Sequence, residues 1–293
     1  MRPAGASRRS LASLAATPAR SQPAAQVVLL NFFAAHVLDR RGGEPDVPTA
    51  ATIEVCRQLG ISEHAVRSTL NRMVARDLLH RRRIGRETVY SLTSRSRAVL
   101  RDGRRRIDDV GAVRAEAVVR WVLLAFNLPA AAQRERHNLR ARLTSAGFGM
   151  LQGGLWIAPA PVELSGLVDE VGLERPLRIF TAEAHPSTDI EALVPSIWDL
   201  DELAAGYRGF IARWADGRVA PRLAAEPLAA ELLLVHDWLE LLRRDPRLPR
   251  RCLPVDWPAA PAQAVFRRAR GSHATEAELI AARLLAIGSS SAA

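Results

Sequence analysis

The stretch from Ala50 to Thr93 narrows the folds open to this chain more than any other. Ala50 to Gln58 reads as a helix ending at Leu59-Gly60, where glycine supplies the positive φ that a helix C-terminus often adopts. Ile61 to Val74 follows as ISEHAVRSTLNRMV. Ser62 is a good N-cap, and Val66, Leu70, Met73 and Val74 recur at helical spacing on one face. Helix, glycine turn and capped amphipathic helix outline a helix-turn-helix. After Leu78-Leu79, His80-Arg81-Arg82-Arg83 leads into Ile84-Gly85-Arg86-Glu87 and then Thr88 to Thr93. Two short strands around a glycine-bearing turn predict a β-hairpin, a wing with basic residues at and around its tip. Upstream, Gln26 to Asp39 (QVVLLNFFAAHVLD) reads as a helix stopped by Arg40-Arg41-Gly42-Gly43. Downstream, a helix from Ser94 to about Ile107 carries Arg95, Arg97, Arg101, Arg104, Arg105 and Arg106.

Charge is concentrated in the same place. Between Ser62 and Arg106 stand thirteen arginines against four acids, a net +9 in a chain whose formal charge is +10. A solvated basic face is the plain explanation of such a run, but its position on a helix-turn-helix and wing favours DNA. All 41 basic residues are arginine. With so much alanine beside them, that choice reflects compositional bias as readily as recognition, and the sign and placement of the charge are what point to a partner.

At 293 residues the chain is too long for one ordinary core, and 48% hydrophobic with 25% charged residues predicts globular folding. No apolar run reaches the ~18 residues of a membrane helix. Leu228 to Leu242 comes nearest, and Glu231, His236, Asp237 and Glu240 interrupt it. Cys56 and Cys252 stand alone and the seven histidines form no HxxxH or HxH pattern, so neither a disulfide framework nor a metal site is expected and a reducing cytoplasm suits the chain. Residues 1–25, with Arg8-Arg9 but no apolar segment, read as a disordered basic arm rather than an export signal.

Past Val118 the pattern changes. Val119 to Phe126 reads as a buried strand, Gln133 to Ala146 as an arginine-rich helix stopped by Gly147, and Phe148 to Leu151 with Leu155 to Ala158 as a hairpin around Gln152-Gly153-Gly154. Pro161 to Gly172 looks helical and Pro176 to Ala182 is a further strand. The order β-α-β-β-α-β is that of a ferredoxin-like split unit. Beyond Pro195, helices are expected over Asp199–Trp214 and Pro227–Arg243, then a proline-rich passage. A helix over about Pro261–Gly271 follows, with another at Thr275–Ile287 and a disordered tail from Gly288. The fold class is therefore α+β: a winged helix-turn-helix at 26–110, a ferredoxin-like βαββαβ domain at 114–186, and a helical domain at 196–287 for effector binding and dimerisation.

Four stretches carry a family resemblance: Gly60 to Thr93; Gly147-Phe148-Gly149 with Gly153 to Pro159 (GGLWIAP); Trp198-Asp199-Leu200 with Tyr207 and Phe210; and Asp245-Pro246-Arg247-Leu248-Pro249 with Leu253 to Pro258 (LPVDWP). Any winged helix can supply the first, whereas the last two, in that order and spacing, are far more specific. Together they resemble the PaaX family of repressors over about Val27 to Gly271. The resemblance implies a three-domain homodimer that represses transcription at a roughly palindromic operator. It also implies an effector, phenylacetyl-CoA or another acyl-CoA, that relieves repression, with a phenylacetate-catabolism regulon. Two departures stand out. Asp77 occupies the position after the recognition helix where similar proteins usually have glycine, and Trp238 to Arg244 (WLELLRR) is more acidic and apolar than the family pattern.

On the expected recognition helix, Ser62, His64, Arg67, Ser68, Asn71 and Arg72 are the DNA-binding candidates. Arg67 and Asn71 suit base edges, because arginine grips guanine and asparagine grips adenine in bidentate fashion. Arg72 and Arg76 suit phosphates or ion pairs, and Arg82, Arg83 and Arg86 of the wing suit phosphates, with a minor groove as the alternative. Tyr90 is expected to pack beneath the wing. Trp198, Tyr207, His236 and Trp238 are candidates for an effector pocket, with helix packing the default for each alone. Arg134, Arg136, Arg140 and Arg142 either meet CoA phosphates or form a solvated face. No GxSxG, P-loop or paired-carboxylate motif is present, so a non-enzyme without cofactor is expected. An enzyme acting on nucleic acid or acyl-CoA through the ferredoxin-like domain is the competing reading.

Overall fold

The computed structural model describes residues 23–40, 43–105, 107, 120–127, 133–162, 177–215 and 226–286. Outside them lie the basic arm up to residue 22, Arg106, almost all of the helix expected over Pro161–Gly172, and the tail from Gly288. The elements are α1 (Ala25–Phe32, continuing as a π turn over Phe33–Val37), β1 (Val47–Pro48), α2 (Thr49–Gln58), α3 (Glu63–Ala75), β2 (Leu79–Ile84), β3 (Glu87–Leu92) and α4 (Ser94–Arg105). The middle region contains β4 (Trp121–Ala125), α5 (Gln133–Ser145), β5 (Gly149–Gln152), β6 (Leu155–Pro159) and β7 (Arg178–Ala182). Helices α6 (Ile190–Ile197), α7 (Leu200–Trp214), α8 (Pro227–Arg244) and α9 (Ala259–Ala286) complete the described chain, with a 3-10 turn at Arg250–Cys252 before α9.

The junctions between α2, α3 and the wing follow from capping. Ser62 Oγ accepts from the Ala65 amide at the start of α3. At the end of α2, Gly60 (φ 77) donates to the Arg57 carbonyl and Ile61 to that of Cys56. This is the paired closure in which a left-handed residue satisfies two terminal carbonyls. The end of α3 repeats it with Asp77 (φ 54): its amide reaches Val74 and the Leu78 amide reaches Met73. The short side chain of aspartate tolerates the left-handed region, so the chain turns into the wing here without glycine.

Strands β2 and β3 form the hairpin, with Ile84 opposite Glu87 across Gly85-Arg86. A third strand was not expected: Val47 pairs with Tyr90 and Pro48 with Val89, giving the order β1-β3-β2. Pro48 has no N–H to donate, which an edge position accommodates. Thr93 Oγ1 accepts from the Ser96 amide, capping α4, and donates to the Asp77 carbonyl at 2.9 Å. The base of the wing is thereby tied to the turn that launches it. Tyr90 is buried beneath the wing.

The middle sheet is antiparallel throughout, in the order β5-β6-β4-β7. Relative to chain order this is 2-3-1-4, the ferredoxin-like arrangement. Strand alternation gives it two apolar faces. Val122, Leu124, Trp156 and Ala158 pack on Leu139 and Leu143 of α5. Trp121 and Ile157 face the other way, onto Val194 and Trp198 with Leu248 and Cys252. Trp121 and Trp198 stack with ring centroids 6.3 Å apart.

A single apolar cluster joins the winged-helix elements to the C-terminal helices. Val28, Leu29, Phe32 and Leu70 belong to it together with Leu228, Leu232, Trp238, Ala262 and Phe266. The two helices expected at Pro261–Gly271 and Thr275–Ile287 are one continuous α9 of 28 residues. Gly271 stands exposed within it. Such an interior glycine costs about 1 kcal/mol relative to alanine, and packing on either side outweighs that. Helix α6 was also unexpected; it runs through Pro195 and begins from an N-cap at Asp189, whose Oδ1 accepts from Ala192.

Candidate nucleic-acid interface and ligand cavity

The buried face of α3 carries Val66, Thr69, Leu70 and Met73, which leaves Glu63, His64, Arg67 and Asn71 exposed on the opposite side. Ser68 is half-buried between the two. Arg67 pairs with Glu63 at 2.8 Å one turn earlier, with both side chains more than half exposed. Such surface pairs are worth little, so a ligand can take the guanidinium from Glu63 at small cost. Arg72 is more constrained, donating to Ser68 Oγ at 2.8 Å and Thr69 Oγ1 at 2.9 Å.

On the wing, His80, Arg81, Arg82, Arg83 and Arg86 are all exposed. Arg82 pairs with Asp46, and Arg83 Nε donates to the Gly85 carbonyl at 3.1 Å, which lays its side chain along the turn. The exposed α3 residues and the wing arginines thus lie on elements joined by the short Asp77-Leu78 turn.

The arginines of α4 do something else. Arg97 pairs with Glu44 at 2.7 Å, Arg101 with Asp39 at 2.6 Å, and Arg104 reaches the carbonyls of Ala34 and Leu38. Hydrogen bonding from Arg101 holds the Asp39 carboxyl below its usual range. Arg101 and Arg104 thus clasp the segment that follows the π turn. Part of the sequence's +9 is matched by acids and carbonyls of the protein itself.

A second concavity opens where the middle sheet meets the C-terminal helices. It has a volume of about 580 Å³. Phe148, Met150 and Trp156 form one wall, Trp198 and Tyr207 a second, and Glu240, Arg243 and Arg244 from the end of α8 line its edge. At Gly149 the sheet approaches α6 so closely that a Cβ would lie 2.1 Å from Ile197 Cγ2 and 2.9 Å from Trp198 Cε2. Of the four aromatic-pocket candidates, Trp198 and Tyr207 line this space; His236 and Trp238, both on α8, do not. Trp238 is fully buried, 4.8 Å from Phe266 in a stacked pair. Asp237 bonds Trp214 Nε1 at 3.0 Å and pairs with Arg213 at 3.3 Å, so it engages α7.

Behind the cavity, Tyr207 donates its hydroxyl to Asp245 Oδ2 at 2.5 Å, and the Arg247 amide donates to Oδ1 at 2.6 Å. Burial pushes the Asp245 carboxyl up, and the two hydrogen bonds only partly offset this. Burial and the neighbouring carboxylate push the Tyr207 phenol up as well. The sequence marks Asp245 through the Asp-Pro-Arg-Leu-Pro stretch without revealing its partner.

Residues 25–96 match the PaaX-like protein family, residues 115–194 the PaaX protein central Cas2-like domain, and residues 198–283 the PaaX-like protein C-terminal domain. The chain is 27% identical over 249 residues to the Transcriptional repressor PaaX of Escherichia coli (strain K12), covering 80% of this chain and 76% of that protein. Among solved structures it is similar to the Uncharacterized protein Rv0674 from Mycobacterium tuberculosis. That likeness has a TM-score of 0.57 at 24% identity, over 89% of this chain and 99% of the other.

Proposed function

Because the chain belongs to the PaaX family, we propose that it is a cytoplasmic transcriptional repressor that binds a palindromic operator as a homodimer and is released by an aryl- or acyl-CoA effector. The observation that carries this reading is the pairing of an exposed polar α3 face with an arginine-lined wing. A helix presented this way enters the major groove by its N-terminal residues. His64, Arg67, Ser68 and Asn71 then meet base edges. Ser62, Arg72, Arg82, Arg83 and Arg86 meet the backbone, which positions the protein without reading sequence. The domain limits proposed are 26–110 for DNA, 114–186 for the ferredoxin-like unit and 196–287 for effector and dimer contacts.

The proposed effector site is the cavity walled by Trp198 and Tyr207, with Trp156 opposite. The aromatic side chains Phe148, Trp156, Trp198 and Tyr207 in its lining suit an acyl group. Arg243 and Arg244, which a phosphate would have to draw from Glu240 and Glu202, are the cations that line it. Release requires the ligand to bind the DNA-incompetent arrangement better than the operator-bound one.

Gel-shift titration on the DNA upstream of the protein's own gene, with and without phenylacetyl-CoA, tests both halves. Release by the thioester but not by phenylacetate supports a metabolite-gated repressor. Tight binding that no acyl-CoA disturbs removes the effector and keeps the DNA reading. Arg67→Ala is expected to cost about 1–3 kcal/mol of operator affinity and to relax sequence preference. Arg83→Ala should weaken all duplexes alike and flatten the salt dependence by about one phosphate contact. Unchanged operator binding in Arg67→Ala would place the reading helix elsewhere.

A further inference from the structure

His36 sits in the π turn that follows α1, buried at the seam between the winged-helix elements and the C-terminal helices. Its two ring nitrogens face two different carboxylates. Nδ1 lies 2.9 Å from Glu278 Oε2 on α9, and Nε2 lies 3.1 Å from Glu231 Oε2 on α8. The contact to Glu231 is a close charge pair without hydrogen-bond alignment, since neither Nε2 nor Glu231 Oε2, both buried, has a hydrogen-bond partner among the described residues. A neutral imidazole carries one N–H and one lone pair. With a carboxylate at each nitrogen, the neutral ring would aim its lone pair at an anion. The imidazolium instead donates to Glu278 and sets its positive charge beside the buried Glu231 carboxylate.

The remaining charges around the ring complete the set. Arg40, from the same segment, lies 3.2 Å from Glu278 and donates to the His36 carbonyl. From α4, Arg104 bonds the carbonyls of Ala34 and Leu38 on either side. Protonated, the quartet of His36, Arg40, Glu231 and Glu278 is neutral; without the imidazolium proton it holds a net negative charge at a buried seam. Asn31 adds a further polar contact to α8, donating to the Leu232 carbonyl at 3.4 Å.

We infer that this quartet is a protonation-dependent latch that seats the winged-helix unit on α8 and α9, and that the seat loosens when His36 loses its proton. Desolvation alone lowers the proton affinity of His36, but the two carboxylates outweigh it and hold its pKa above the ordinary 6.5. The latch therefore contributes fully below the unfolded-state pKa and is lost as the pH rises through the folded one. Helix α8 carries the latch residue Glu231 and, about 13 Å along, Glu240 at the cavity edge. The latch thus lies on an element shared with the proposed effector site. Any consequence for operator binding rests on the DNA-binding reading given above; the latch itself does not.

Composition makes the test clean. Because every basic residue is arginine, no lysine titrates in the alkaline range. The buried Cys56 thiol, pushed up to about 12, makes stability fall above the ordinary thiol range in any variant that keeps it, so the latch is read from the difference between wild type and His36→Gln at each pH. Thermal unfolding of the full chain is measured between about pH 6 and about pH 10 for the wild type and His36→Gln. The wild-type Tm should fall across this window, by about 3–5 °C for each tenfold difference in proton affinity between the folded and unfolded chain. His36→Gln should start lower, keep only the alkaline fall that the buried thiols and Tyr207 give both proteins, and meet the wild type at high pH. Parallel curves overturn the latch. If His36→Gln does not fold, Glu278→Gln at the half-exposed carboxylate should move the wild-type midpoint to lower pH, and an unmoved midpoint overturns the proposal as well. Duplex affinity measured on the same samples separates the two readings. Absence of DNA binding at every pH counts against the DNA interface and leaves the latch to be judged by the unfolding curves.

Discussion

Replacing Trp238 by alanine is expected to cost about 3–5 kcal/mol of folding stability, the range for truncating a buried large aromatic side chain. Trp238 is 0% exposed. It stacks on Phe266 at 4.8 Å and 11°, and its ring centroid lies 5.3 Å from Phe210 and 6.3 Å from Tyr207. Three helices, α7, α8 and α9, therefore meet on one indole. Its cluster continues into Phe32 and Leu70 of the winged-helix elements, so the cavity left by truncation loosens the support of α3 as well. The indole N–H has no acceptor among the described residues, so Trp238→Phe loses volume but no hydrogen bond and should cost roughly half as much. Urea denaturation of both variants checks the series. A loss below about 1 kcal/mol for Trp238→Ala, together with a lost response to acyl-CoA, would return Trp238 to the pocket and remove it from the core.

The contrast between Trp238 and Trp198 shows where sequence reading stops. Both are tryptophans in apolar helical surroundings, and periodicity treats them alike. One packs inside α7–α9, while the other stacks on Trp121 of the middle sheet and walls the cavity. Which of these happens is decided by the approach of β5 to α6 at Gly149, between segments far apart in the chain. Local features were legible for the opposite reason. The N-cap at Ser62, the glycine closure at Gly60 and the two-residue turn at Gly85-Arg86 are each satisfied within a few residues. Strand β1 was hidden because its partners Val89 and Tyr90 lie some forty residues away, and Pro48 reads as a breaker. The join in α9 was hidden because no apolar residue between Phe266 and Ala277 is buried, so the helical stripe lapses around Gly271 although the backbone continues.

Charge counting met the same limit. The +9 of residues 62–106 is correct as a sum, yet Arg97, Arg101 and Arg104 find Glu44, Asp39 and two carbonyls contributed by earlier segments. Those partners stand outside the window in which the charge was counted. The arginines exposed on α3, at its end and on the wing are Arg67, Arg72, Arg76, Arg81, Arg82, Arg83 and Arg86. His36 was missed more completely. A single histidine in an apolar helix carries no pattern, and its meaning comes from carboxylates more than 190 residues downstream.

Tyr207→Phe removes one oxygen and is expected to cost about 1.5–3 kcal/mol at neutral pH, the range for a hydrogen bond to a charged group. Tyr207 is 1% exposed and Asp245 7%, so water does not readily replace the lost donor. The pH dependence identifies the cause. Burial already holds the Asp245 carboxyl above its ordinary value, and the Tyr207 hydrogen bond is one of the contacts pulling it back. Deleting the hydroxyl raises the folded-state pKa further while leaving the unfolded chain unchanged. The folded variant then binds the proton more tightly than the unfolded variant, so its deficit relative to wild type shrinks as the pH falls through that raised value. Denaturation at neutral and mildly acidic pH should show the gap closing, and a Tyr207→Phe/Asp245→Asn double variant should recover much of the loss at neutral pH because the amide carries no charge to strand. A deficit that neither acid nor the amide relieves would mean that Tyr207 stabilises α7 through its ring packing on Trp238 and Trp257, with the carboxylate satisfied by the Arg247 amide alone.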